Sequence, residues 1–293
     1  MSDSVARPRL ALAVAVVAIS TSAILVRWST APPVVAAFYR VLLTTALLAP
    51  LLLARHADAL GDLSGRHLLA AGLTGVALAA HFATWFESLS WTSVAASVTL
   101  VQSQPIFVVT GAWLLLNERV TGRTVLGVVV AIGGIVVMSL GDLLGGTAVG
   151  PRPLYGNALA LVGGLMAASY VLAGRSLRQR LPLLPYVTVV YGVAALALLA
   201  VVLAQGHPLT GYESREWLLF LGMAVGPGIL GHTLVNWSLA HVESSLVSVT
   251  LLGEPLGSAL LALLLLTEVP SSWTVAGGAV VLAGITLTAR SSE

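Results

Sequence analysis

The chain contains one pattern twice. Gln104-Pro105 lies in an apolar run and is followed by Glu118, Gly127 and Gly134-Ile135. At a constant offset of 150 residues the same landmarks return as Glu254-Pro255, Glu268, Gly277 and Gly284-Ile285, and Ser88-Leu89 returns upstream as Ser238-Leu239. Landmarks held in one register over so long a stretch mark an internal duplication. Each half must then be the same supersecondary unit, which restricts the fold more than any local propensity does.

Composition fixes the solvent. Only 9% of the residues are charged and 57% are hydrophobic, with a mean hydropathy of +0.96, against roughly 25% charged in an ordinary soluble domain. A helix needs about 20 apolar residues to cross a bilayer. The chain divides into ten such segments, at 10–28, 33–54, 67–89, 92–116, 122–141, 154–174, 183–204, 216–240, 243–267 and 271–289, joined by short connections bearing Pro32-Pro33, Gly61, Gly122, Gly145-Gly146, Pro151, Pro182 and Pro270. Arg7 and Arg9 ahead of an apolar run also fit a cleavable signal. Ala11-Leu12-Ala13 is loosely echoed by Ala158-Leu159-Ala160, however, so the first segment is expected to be retained as part of the repeat.

The predicted fold is therefore all-α and polytopic: ten transmembrane helices, with residues 1–141 as the first five-helix repeat, 142–153 as a linker and 154–293 as the second repeat. Five is odd, so the second repeat enters the membrane inverted. That architecture belongs to secondary transporters, with the site near the midplane between the halves. Loops on the side of the termini carry Arg7, Arg9, Arg55, Arg66, Arg119, Arg123, Arg175, Arg178, Arg180 and Arg290, and those on the other side Arg27, Arg152 and Arg215. The excess predicts cytoplasmic termini, and Trp28, Trp91, Trp217 and Trp273 then fall near the outer interface.

Several chemistries are excluded. There is no cysteine, and all fourteen basic residues are arginine, which removes thiolate chemistry, Schiff bases and the Walker-type lysine. Neither His-Glu-x-x-His nor Gly-x-Ser-x-Gly occurs, so no enzyme, cofactor or metal is expected. The arginines form no basic stripe, so the pI near 9.3 does not imply nucleic acid. The expected partners are a small-molecule substrate and the lipid bilayer; monomer and dimer are both open.

A polar side chain in the hydrocarbon must face the bundle interior or a wet cavity. Counting about 1.5 Å per residue puts Ser20, Gln102, Gln104 and Glu254 near the midplane, with His81 in the outer half and His232 in the inner half. His81 and Trp85 share one helix face, as do His232 and Asn236, and Tyr170 lies inward on the sixth segment. These nine residues are the candidate substrate contacts, expected to line a cavity between the third, fourth, eighth and ninth helices, with the first and sixth completing it. Glu254 is also a candidate proton carrier. Pro105 and Pro255 are candidate hinges, since each removes a backbone donor. Arg40 and Glu87 are expected to form an ion pair on the outer side, as a structural or gating contact. Glu118 and Glu268, at helix ends, are expected to hold loop geometry.

Phe38-Tyr39-Arg40, together with the pattern from Ser88-Leu89-Ser90 through Pro105, Glu118-Arg119, Gly127 and Gly134 and its return through Pro255, Glu268, Gly277 and Gly284, resembles the EamA-like family of the drug/metabolite transporter superfamily. The resemblance covers essentially the whole chain. It implies an inner-membrane exporter of small metabolites, with the aromatic amino-acid exporter (YddG-type) branch as one comparison. The first segment departs from the family pattern, carrying Ala18-Ile19-Ser20-Thr21-Ser22 where a Trp-Gly pair is common.

A channel would want a ring of polar residues, whereas a two-fold repeat supplies pairs. Phosphorylated substrates would want several basic residues in the cavity, and lipophilic cations an acid on the first helix; residues 10–26 contain none. The remaining expectation is a small zwitterionic or neutral metabolite such as an amino acid, by proton-coupled or facilitated transport, with nucleosides or drugs as the alternative.

Overall fold

The computed structural model describes residues 2–61, 64–104, 106–107, 121–144, 150–178, 180–238, 241, 250–251 and 253–290. Pro105, Glu118 and Arg119 lie outside them, as does much of the fourth segment. Among the described residues the regular elements are helical and no strand occurs. Each of the ten apolar segments contributes a helix. The first contributes α1 (Ser2–Ser20) and α2 (Ser22–Trp28); the second to seventh contribute α3 (Pro33–Gly61), α4 (Gly65–Ser88), α5 (Val94–Val101), α6 (Gly122–Leu144), α7 (Pro153–Arg178) and α8 (Leu183–Ala204). The eighth runs as α9 (Ser214–Met223), a π-helical stretch Ala224–Thr233 and α10 (Leu234–Ser238); α11 (Gly253–Leu266) and α12 (Ser272–Arg290) complete the set.

The packing repeats across a two-fold. α6 packs on α12, α3 on α8 and α5 on α11, each an element against its own repeat mate. Three further contacts come in mirrored pairs: α4 with α7 matches the eighth segment with α1, α4 with α8 matches the eighth with α3, and α5 with α7 matches α11 with α1. A Cβ on Gly134 would meet Val281 N at 2.6 Å and Gly277 O at 2.8 Å. A Cβ on Gly284 would meet Ala131 N at 2.5 Å and Gly127 O at 2.6 Å. These are the same contacts with the halves exchanged, and they hold α6 and α12 at backbone distance. In lipid, where tails are as apolar as leucine, such small-residue packing drives helix association. The other face of α6, with Val125, Val129, Ile132 and Val136 exposed, is the lipid-facing stripe.

Three helices are interrupted where the halves meet. The first breaks at Thr21, where Ser20 Oγ donates to Val16 O at 2.8 Å and Thr21 Oγ1 to Ala18 O at 2.7 Å; such back-bonding bends helices. α5 ends at Val101 in the turn Gln102-Ser103, ahead of Pro105. The eighth segment passes through Gly226-Pro227-Gly228 as a π-helix, a geometry that concentrates at functional sites.

On the face opposite the chain ends, Glu216 accepts from Ser29 Oγ at 2.5 Å and from Thr30 N and Oγ1 at 3.0 Å each. Glu268 accepts from Val94 N at 2.7 Å and pairs with Arg27 at 3.1 Å. Glu268 thus ties the α11–α12 loop to the start of α5, the loop-holding role expected of it.

Candidate functional site

Arg40 lies at the centre of the bundle, with only 1% of its surface exposed. Its Nη1 donates to Ser22 Oγ at 2.7 Å, and its Cζ sits 4.3 Å from the Phe82 ring centroid and 5.6 Å from that of Phe86. Phe82 and Phe86 are four residues apart on α4 and so present one face, a cation–π platform for the guanidinium. Among the described residues Arg40 Nη2 has no hydrogen-bond partner. It borders a chamber of about 10 Å³ lined by Arg40, Val41, Thr44, Phe82, Tyr191, Gly228 and His232, room for about one water molecule.

Two of the lining residues, Tyr191 and His232, belong to a polar network. Asn236 Nδ2 donates to Tyr170 OH at 2.6 Å, to Tyr191 OH at 3.4 Å and to His232 O at 2.8 Å. Tyr191 also bonds Tyr170 and Thr233. His81 Nδ1 lies 2.9 Å from Gly163 O, and its ring stacks on Trp85 with centroids 5.7 Å apart. The Trp85 indole Nε1 is buried without a partner. At the crossing of α5 and α11, Gln102 Nε2 donates to the buried Glu254 carboxylate. Nearby, Ser258 Oγ donates to Ser20 O at 3.1 Å.

On the opposite face a crevice of about 410 Å³ runs between the end of the first segment, the start of α3 and the end of α4; it is lined by Val26, Arg27, Ser29, Thr30, Ala31, Pro32, Pro33, Ala36, Leu89 and Ser90. Ala36 is one helical turn before Arg40 on the same face of α3, about 6 Å along the axis.

The structure brings Ser20, His81, Trp85, Gln102, Tyr170, His232, Asn236 and Glu254 into the interior. Gln104 is half-buried and takes part in none of these bonds. Pro255 is buried in the first turn of α11, and Pro105 lies outside the described residues. Two expectations change. Arg40 does not pair with Glu87: Glu87 Oε1 accepts from Trp91 Nε1, four residues on, at 2.8 Å, while Arg40 points inward to Ser22 and Phe82. The central chamber is walled by the second, third, seventh and eighth segments, because Arg40 and Tyr191 face it from α3 and α8; the fourth, ninth, first and sixth lie behind. His81 and His232 were expected at different depths but both pack on Phe82, with centroids 4.8 Å and 5.5 Å away; among the described residues no three metal-ligating side chains converge. Sequence reasoning missed Ser22, Phe82, Phe86 and Tyr191. The available signal was the i, i+4 spacing of Phe82 and Phe86 and a tyrosine inside a strongly apolar segment.

Comparison with known proteins agrees with the geometry. Two proteins of Archaeoglobus fulgidus named as uncharacterized transporters are similar to this chain. One is 26% identical over 86% of this chain and 86% of its own; the other is 30% identical over 76% and 77% respectively. A solved crystal structure at 21% identity superposes with a TM-score of 0.66 over 97% of both chains, a likeness of fold. The sequence model of one family matches twice, over residues 8–140 and again over 154–290. The chain belongs to the EamA-like transporter family.

Proposed function

We propose that the chain is a secondary transporter that exports a small zwitterionic or neutral metabolite by alternating access across the bacterial inner membrane, with both termini cytoplasmic. Amino acids are the leading substrate class, aromatic or hydrophobic ones first, as in the aromatic amino-acid exporter branch. The observation that carries the reading is the arrangement along one path. A 410 Å³ crevice opens on the face opposite the termini and ends at Ala36, one turn from the buried Arg40. Towards the side of the termini, Tyr191 of the chamber wall is hydrogen-bonded into the buried Tyr170–Asn236–Tyr191 network. A crevice on one face that stops short of a buried site fits one half of an alternating-access cycle, with the site occluded. The broken first helix, the turn at Gln102-Ser103 and the π-helical stretch give the surrounding helices places to bend. The arginine excess on the side of the termini supports the orientation, and the aromatic walls support an apolar substrate body.

Coupling to protons is the companion reading, favoured by the buried Glu254 bonded to Gln102 where the two halves cross. The test is reconstitution in liposomes with labelled amino acids, nucleosides and organic cations, with and without a pH gradient. Saturable counterflow of an amino acid is expected. Transport confined to nucleosides or cations, or flux that does not saturate, would overturn the substrate reading or the carrier mechanism respectively.

A further inference from the structure

The buried guanidinium of Arg40 presents an unmet demand. Of its two terminal nitrogens, one is satisfied by Ser22 Oγ at 2.7 Å and the other has no partner among the described residues. Among the described residues the ion pairs are Arg27–Glu268 and Arg215–Glu216, both on the face opposite the chain ends, so Arg40 has no anion in contact. Glu254 is within electrostatic range of it, but the Glu254 carboxylate is engaged by Gln102. A charge held in the bilayer interior without a contacting counter-ion costs several kcal/mol. Packing alone would be served as well by a neutral side chain of the same length.

The surroundings of the free nitrogen have a definite chemistry. Nη2 belongs to a residue lining the small chamber, and Phe82 and Phe86 cover the guanidinium carbon. Tyr191 and His232 form the far wall with Gly228, where a Cβ would meet Thr44 Oγ1 at 2.4 Å. The absence of a side chain at 228 is therefore what lets the π-helical stretch approach Thr44 so closely. A planar cation with donors on one edge, framed by aromatic faces, recognises a carboxylate attached to an apolar body. The chamber now has room for about one water, so a ligand enters as the Gly-Pro-Gly π-helical stretch draws back from α3.

The geometry points to Arg40 as the anchor for the carboxylate of the transported molecule, with Phe82, Phe86 and Tyr191 receiving its apolar part. This assigns Arg40 a binding role in place of a gating one and rests on the transporter reading above. It makes the carboxylate, and not the amino group, the feature that selects the substrate.

Four compounds with one apolar body separate the possibilities: phenylalanine, phenylpropionate, phenylalanine amide and phenethylamine. Uptake into or exchange from liposomes is measured for each, together with the shift in melting temperature that each produces on the detergent-purified protein. Wild type is expected to favour the two acids over the amide and the amine by on the order of 100-fold, the scale of losing one partner of a buried charge pair. Arg40→Gln is expected to abolish that preference, and Arg40→Lys, which keeps the charge without the planar fork, to retain part of it. If Arg40→Gln does not yield folded protein, Arg40→Lys and the wild-type melting shifts still decide. Equal handling of acids and amines by wild type, or equal loss of all four compounds in Arg40→Gln, overturns the anchor while leaving transport intact. Stabilisation by phenylpropionate that depends on Arg40, without flux of any compound, overturns the exporter reading while the anchor stands. No melting shift with either acid and no flux of any compound overturns both.

Discussion

Gly134 and Gly284 give the most direct test of the inverted repeat, because each touches the backbone of the other half. A methyl group at Gly134 would sit 2.6 Å from Val281 N and 2.8 Å from Gly277 O, up to about 0.8 Å inside ordinary contact. Both obstacles are backbone atoms and cannot rotate away, so α12 itself must retreat. A gap of 0.5–1 Å removes roughly a quarter to a half of the dispersion energy of the atoms it separates, and here packing is the main force between the helices. Overpacking of this kind costs about 1–3 kcal/mol, which outweighs the gain of up to about 1 kcal/mol from replacing a helical glycine by alanine. Gly134→Ala and Gly284→Ala should therefore each destabilise. Gly133→Ala is the control: it faces open space with nothing within 4 Å, so it should be neutral or slightly stabilising. The double variant should cost less than its parts, because one retreat relieves both clashes, with a coupling of about 0.5–3 kcal/mol. Reversible unfolding in mixed micelles measures all four. If Gly134→Ala behaves like Gly133→Ala, or if the two costs add fully, the symmetric contact between α6 and α12 is wrong.

Glu268→Ala should destabilise by about 1–3 kcal/mol, more than Arg27→Ala, because it removes the acceptor for Val94 N as well as the partly exposed ion pair; thermal melting in detergent ranks the two. Glu216→Ala strands three donors of the Ser29-Thr30 loop and should cost about 2–3 kcal/mol, with Glu216→Gln in between. Glu254→Gln keeps an acceptor for Gln102 and removes the titrating group, so the protein should still exchange substrate down its gradient but no longer respond to an imposed pH gradient; unchanged pH-driven accumulation in liposomes would end the coupling proposal. Cysteines introduced into this cysteine-free chain report orientation. Pro151→Cys should react with an impermeant reagent outside whole cells and Ser176→Cys should not, and the reverse pattern would invert the topology. Pro151 serves better than its neighbour Gly150, which has φ +106° and whose Cβ would collide with Trp91 O at 2.4 Å.

The fold was legible because its determinants are one-dimensional. Segment length, apolar content and a fixed offset of 150 residues can be counted along the chain, and the Gly134/Gly284 contact was marked by small residues in register. The site was legible only in part, because a cavity depends on how each helix is rotated about its axis. Arg40 and Glu87 have opposite charges on adjacent segments, yet Glu87 has a partner one turn along its own chain in Trp91, and local geometry prevails over a distant charge. Gly226-Pro227-Gly228 is a break that the sequence reading passed over, and nothing in those letters distinguishes a kink from a π-helix. Ser20-Thr21-Ser22 reads as a departure from the family pattern; in the structure it is where the first helix bends and where Arg40 finds its acceptor, Ser22 Oγ.

The chamber shows how a duplicated frame produces a site that is not itself duplicated. Two pairs of its lining residues, Val41 with Tyr191 and Phe82 with His232, occupy equivalent positions in the two halves, at the same offset of 150, and at every lining position the mate differs. Arg40 answers to Val190, Val41 to Tyr191, Thr44 to Ala194, Phe82 to His232 and Gly228 to Leu78. Symmetry brings both members of the Phe82–His232 pair into the same chamber, on the axis where the halves meet. Divergence then gives one half the cation and the other the tyrosine and a glycine that packs closely on Thr44. Glu254 and Gln104 repeat the scheme, with an acid in one half and an amide at its mate. A strictly symmetric chamber would carry two guanidiniums facing each other, or none. Under the alternating-access reading proposed above, the two halves exchange conformations, and the frame then stays nearly symmetric in energy. On that reading, departures from symmetry belong at the few positions nearest the transported molecule, which is the place the proposal gives to Arg40 and its neighbours.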